Sequence, residues 1–141
     1  MSKRYSYEDK IDTFIRAYVD AMLWSSNDES DESGGEPLDK NYSIDDVAPS
    51  AMEKIVAECK RFQEENADDI ATIPYRRTSD GNWSGEEQAG HDLWLTRNRH
   101  GVGFQDRDFI DEDVRDRLYA NAQAYGEVNL IVGDDNLIYC D

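Results

Sequence analysis

The sequence predicts an α+β domain in which two hairpins join into one antiparallel sheet of about four strands, packed against three main helices. Three observations lead to that architecture. Apolar residues recur at helical spacing near residues 7–24, 49–66 and 111–125. Two other stretches, around residues 92–106 and 128–139, alternate with a period of two on either side of a glycine-bearing turn. The length of 141 residues suits a single domain over residues 1–141, and such a chain buries roughly 68–70% of its unfolded surface without staples.

Helix one begins at Ser6, an N-cap with Asp9 three residues on in a shortened capping box. Ile11, Phe14, Ile15, Tyr18 and Met22 supply its apolar stripe, which predicts a helix from Tyr7 to Trp24 with Trp24 in the core. Residues 25–42 then read as an acidic, flexible loop. Asp28, Glu29, Asp31 and Glu32 crowd it, Gly34, Gly35 and Pro37 interrupt it, and the calcium-loop spacing of an EF-hand is absent. Pro49 suits the first turn of helix two, predicted to reach Asn66. Met52, Ile55, Val56, Cys59 and Phe62 form the buried stripe of that helix, and Glu53, Glu58, Glu64 and Glu65 lie on or near its opposite face.

Residues 70–83 read as a connection, with Pro74 excluding a regular helix and Asp80-Gly81 marking a turn. Ser84 and Glu87 make a second capping box that opens a short helix, Gly85 to Gly90. It leads into the stretch around which the chain is organised, AGHDLWLTRNRHGVGFQDRD at 89–108, the one basic island in a strongly acidic chain. Leu93 and Leu95 alternate with Asp92, Trp94 and Thr96, and the period resumes at Val102 and Phe104, which predicts a hairpin turning at Asn98–Gly101. That pairing sets Leu95 opposite Phe104, Asp92 opposite Arg107 and Gly103 opposite Thr96. Asp111 caps a last helix through Val114, Leu118, Ala122 and Tyr125, which Gly126 ends. In the second hairpin Leu130 and Val132 face Leu137 and Tyr139, with Ile131 near Ile138. Both faces are apolar, as in the middle of a sheet, so Leu95, Phe104, Leu130 and Ile131 are expected in the core.

Charge separates the function classes. Thirty-two acidic side chains oppose fifteen basic ones, a formal net charge of −17, which repels nucleic acid and favours basic partners. Solubility or adaptation to high salt accounts for such a surface. A sharper reading is imitation of the phosphate spacing of DNA, with Asp28, Glu29, Asp31, Glu32, Glu53, Glu58, Glu64 and Glu65 as the partner-binding carboxylates. The alternative site is His91, Asp92, Arg97, His100 and Arg107, which could serve acid–base chemistry, a metal or a bound anion. The two histidines match no recognised ligand spacing, and GxSxG, P-loop and HExxH motifs are absent, so no metal and no cofactor are expected. Cys59 and Cys140 match no CxxC or zinc spacing and are read as reduced thiols of a cytoplasmic protein. No signal peptide opens the chain, and no apolar run approaches the ~18–20 residues of a membrane span.

The motif AGHDLWLTRNRHGVGFQDRD resembles the signature of a family of small proteins found in bacteriophages and prophages. AMLWSS, LDKNYSIDD and YGEVNLIVGDDNLIY are similar to that family too, so the likeness touches most of the chain. Arg99 and Gln105 stand where the family carries a glycine and an aromatic residue, a departure that bears on any binding role of the turn. The family has no settled activity, and the resemblance implies a genetic setting rather than a reaction. By analogy with small acidic phage proteins, it implies a non-enzymatic accessory protein in the host cytoplasm. Such a protein would inhibit a host protein through the latter's basic, nucleic-acid-binding surface, as an anti-CRISPR or anti-restriction DNA mimic does. It would touch neither nucleic acid nor membrane directly, and its oligomeric state is left open. A small metal-dependent enzyme or anion-binding domain is the alternative.

Overall fold

The stripe read in helix two is the clearest link from sequence to structure. Pro49 starts the helix, and Met52, Ile55, Val56, Cys59 and Phe62 are all buried. The computed structural model describes residues 11–26, 37–79, 81–99 and 101–140. The expected Ser6 cap, the loop carboxylates Asp28, Glu29, Asp31 and Glu32, and His100 lie outside the described residues. The elements follow in the order α1 (Thr13–Ser25), α2 (Pro49–Glu65), α3 (Ala67–Ala71), β1 (Arg76–Thr78), β2 (Gly81–Trp83), α4 (Gly85–Arg97), α5 (Glu112–Gln123), β3 (Leu130–Val132) and β4 (Ile138–Cys140). The fold is α+β, with two separate two-stranded antiparallel sheets among the described residues rather than one sheet of four strands.

The expected central hairpin is replaced by a helix. The capping box forms as read, Ser84 Oγ accepting from the Glu87 amide at 3.1 Å and Glu87 Oε1 from the Ser84 amide at 3.3 Å. The helix then runs past Gly90 to Arg97. The reason is burial. From Gln88 to Arg97 every residue except His91 is buried, and a helix enclosed on nearly all sides has no need of a 3.6-residue apolar period. Leu93 and Leu95 therefore sit two apart, mimicking a strand. Gly90 lies where α4 crosses α1, and a Cβ there would stand 2.1 Å from the Phe14 carbonyl oxygen.

Two of the expected proximities, Asp92 to Arg107 and Thr96 to Gly103, survive the change of element. After α4 the chain reverses through Arg99, at φ 56°, and folds onto the helix end. Thr96 Oγ1 accepts from the Phe104 amide at 3.2 Å. Gly103, at φ 157°, lies so close that a Cβ would meet the same hydroxyl at 2.2 Å. Phe104 opens a turn of 3-10 helix and is wholly buried, with its ring stacked on Phe62 at 6.1 Å.

Other expectations need correction. Helix one is capped at Asp12, whose Oδ1 accepts from the Ile15 amide at 2.9 Å, so the described helix starts at Thr13. Trp24 is 57% exposed rather than in the core. The connection at 70–83 contains the end of α3 and the β1–β2 hairpin, where Arg76 pairs with Trp83 and Thr78 with Gly81. In the last hairpin Val132 pairs with Ile138 and Ile131 with Tyr139, a register offset from the expected one. The shift follows from the turn, closed by Gly133 N–H to Leu137 O at 2.8 Å with Asn136 at φ 62°. Ile131 consequently faces outward at 50% exposure and Leu130 is half-buried. Ile138 is the buried anchor, its carbonyl accepting from the Ala48 amide at 2.8 Å. The ends of the acidic loop meet, Leu38 donating its amide to Ser26 O at 2.8 Å.

Candidate functional site

Of the three arginines that could cradle an anion, Arg99 stays exposed, 4.0 Å from Glu127, whereas Arg97 and Arg107 are engaged inside the fold. Arg97, on the last turn of α4, is 2% exposed and forms a knot of hydrogen bonds. Its Nε donates to Gly126 O at 2.8 Å and its Nη2 to Tyr125 O at 3.1 Å. Its Nη1 donates to Glu58 Oε1 at 3.0 Å and to the Tyr18 hydroxyl at 3.3 Å. Burial works against its charge, but Tyr18 and Glu58 outweigh that and raise its pKa. Burial likewise pushes the Tyr18 phenol up. Glu58, expected on the partner-binding face, is therefore the counter-ion of a buried guanidinium.

Arg107 grips Asp92 in a bidentate pair, Nε to Oδ2 at 2.8 Å and Nη2 to Oδ1 at 2.7 Å. Asp92 is fully buried and also accepts from Gln88 Nε2 at 3.0 Å. Its fourth hydrogen bond comes from His91 Nδ1 at 3.1 Å. Burial alone would raise the carboxyl pKa; the bonds from Arg107 and His91 reverse this and hold it below the ordinary value. An ionised Asp92 can only accept, so His91 Nδ1 carries the proton of this bond. His91, Asp92 and Arg107 thus come together as expected, whereas Arg97 belongs to a separate network.

His91 borders a cleft of about 710 Å³ between α1, β2 and the start of α4, with Asp12, Arg16, Asp20, Trp83 and Glu87 among its lining. Asp12 is already paired with Lys60 at 2.9 Å. Sequence reading missed Asp20 and Trp83, which reach this cleft only because α1 and β2 converge on α4. Among the described residues, no three histidine, cysteine or carboxylate side chains converge to hold a metal ion. Burial raises the pKa of Cys59 and Cys140, both free, which disfavours thiolate chemistry at neutral pH.

The carboxylates gather on another face, where α2, α3 and α5 meet. Glu64, Glu65 and Asp68 are exposed at the α2–α3 junction, and Asp111, Glu112, Asp113 and Asp116 are exposed at and before the start of α5. The helices are aligned by Asn121 Nδ2 donating to Asn66 Oδ1 at 2.7 Å and by a bidentate Arg117–Asp69 pair at 2.9 and 2.8 Å. Glu65 accepts from the Tyr125 hydroxyl at 3.1 Å, and Glu53 is exposed further back on α2. The α5 carboxylates were legible in the helix phase, since Asp113 and Asp116 flank the buried Val114 and Leu118.

No protein-family model matches the chain, and no curated protein or solved structure is significantly similar to it. Among the described residues no helix is long and apolar enough to cross a membrane.

Proposed function

We propose that this chain is a non-enzymatic, phage-type accessory protein whose acidic α2–α3–α5 face occupies a basic, nucleic-acid-binding surface of a host protein and blocks it. The observation that carries the reading is the excess of exposed carboxylates on α2, α3 and α5 over the exposed Arg61 and Arg117, which pair with Glu65 and Asp69. Arg97 and Arg107, two cations of the basic island, are held by Glu58 and Asp92. Glu64, Glu65, Asp68, Asp113 and Asp116 remain exposed on neighbouring helices. Carboxylates on a rigid ridge stand in for backbone phosphates, and the partner contributes the arginines and lysines that would otherwise hold DNA. Such an inhibitor needs no cofactor.

The test is competition. The immobilised chain is exposed to bacterial lysate, and the retained proteins are identified and then challenged with duplex DNA and with salt. The expected result is a nucleic-acid-binding protein that duplex DNA displaces and that binds more weakly as salt rises, because exposed charges are screened beyond about 8–10 Å. Reversal of Glu64, Asp68 and Asp113 to Lys abolishes retention with the fold intact, whereas His91→Ala leaves it unchanged. Retention indifferent to DNA and to these reversals, but lost on removal of His91, refutes the reading.

A further inference from the structure

We propose that the cleft between α1 and α4 is a binding site for an organic ammonium cation, a ligand that the acidic ridge on α2, α3 and α5 neither requires nor explains. Two aromatic planes form a corner in it. Trp83 on β2 and His91 on α4 have ring centroids 5.3 Å apart and planes at 82°. Trp24 backs the corner, stacked on His91 with centroids 6.2 Å apart and planes at 29°. This is the contact that a tryptophan otherwise 57% exposed makes. The corner is rigid because Asp92 holds His91 Nδ1, and Arg107 and Gln88 in turn hold Asp92. The histidine ring is therefore held at the border of the cleft, and its Nε2 makes no hydrogen bond among the described residues.

The charge of the lining selects the ligand. Asp12, Asp20 and Glu87 border the cleft, and Arg16 is the only Lys or Arg among the described residues lining it. Asp12 caps α1 and pairs with Lys60, and Glu87 caps α4. Asp20 has no such duty: it makes no hydrogen bond among the described residues, and Arg16 is the cation beside it, which a ligand's ammonium would supplement. An anion would face three carboxylates, and an apolar ligand would bury them unpaired. An ammonium group instead gains the faces of the rings and the carboxylate together, the combination used in aromatic cages. At about 710 Å³ the cleft is larger than a bare methylated ammonium and has room for the chain that carries it.

The full chain is titrated with choline, tetramethylammonium, spermidine and a trimethyllysine peptide, with sodium phosphate as the anion control. Tryptophan emission and calorimetry provide the readouts. Saturable binding of at least one ammonium probe is expected, weakened about fivefold or more by Trp83→Leu and by Asp20→Asn, since each removes one cation contact. Arg16→Gln, which removes a like charge, should tighten binding; damage to the fold would not do so. Preference for choline or spermidine marks a free small molecule, and preference for the peptide marks a side chain of a partner. The proposal is overturned if no ammonium probe saturates, if phosphate binds in their place, or if Asp20→Asn and Trp83→Leu bind like the parent while circular dichroism shows them folded. None of these results touches the DNA-displacement test of the acidic ridge, so the two readings fail separately.

Discussion

Gly90→Ala puts the crossing of α1 and α4 to the sharpest test. On propensity alone the change favours the helix by about 1 kcal/mol. The structure predicts the opposite sign. The new Cβ would lie 2.1 Å from the Phe14 carbonyl oxygen and 2.9 Å from its carbonyl carbon, against about 3.5 Å or more for an ordinary contact. The obstructing atoms are main chain within α1 and cannot rotate aside, so the two helices must part by roughly 1 Å. That movement loosens Phe14, Tyr18 and Trp94, all buried where α1 and α4 pack. Overpacking of this kind costs about 1–3 kcal/mol and occasionally more. With an immovable obstacle the upper end applies, leaving a net loss of about 2 kcal/mol after the propensity gain. Urea unfolding should show a lower midpoint at unchanged slope, and the Tm should fall by roughly 4–8 °C. A variant as stable as the parent, or more stable, would mean that the helices do not cross at Gly90.

Two further outcomes follow from the same contacts. Asp92→Asn leaves the Arg107 guanidinium without its counter-ion, and urea unfolding should show a loss approaching the ~3–5 kcal/mol of a broken buried pair, reduced because Arg107 is 23% exposed. Because folding lowers the Asp92 pKa, its contribution is fully present above the ordinary carboxylate range near pH 4 and disappears as pH falls below it. Acid should therefore destabilise the parent more than the Asn variant, and equal acid sensitivity would show that Asp92 is not the titrating group. Replacing Asn27–Glu36 by two glycines should change stability by only about 1 kcal/mol, because Ser26 and Leu38 already meet and closure entropy depends weakly on length. Loss of cooperative unfolding in that variant would show that the segment packs.

What could be read in advance depended on whether an element has one buried face. α2 and α5 do, and their stripes at Met52–Phe62 and Val114–Ala122 gave the elements directly. From Gln88 onward α4 exposes almost nothing to set a period, so Leu93 and Leu95 suggested a strand even though the Ser84–Glu87 box announced a helix. The site was legible in part for the same reason. Asp92, Arg107 and His91 are near enough in sequence for their meeting to be anticipated. Arg97 finds Glu58 and Tyr18 only through the packing of three helices, as Asp20 and Trp83 find His91. The last hairpin failed on register because Asn136, at positive φ, moved the turn by a fraction of its length that no alternation pattern records.

The Arg97 knot has a consequence for the order in which the chain can mature. Its acceptors lie 79 and 39 residues earlier, at Tyr18 and Glu58, and 28 and 29 residues later, at Tyr125 and Gly126. A guanidinium does not shed its proton in the interior, so during synthesis it stays charged with its two main-chain acceptors still unmade. α1, α2 and α4 should therefore not seal around it until Tyr125 and Gly126 have left the ribosome. A nascent or truncated product ending before Tyr125 would hold those helices in water-accessible, loosely associated form, open to proteases and to chaperones. The closing of these helices is thereby tied to the arrival of Tyr125 and Gly126.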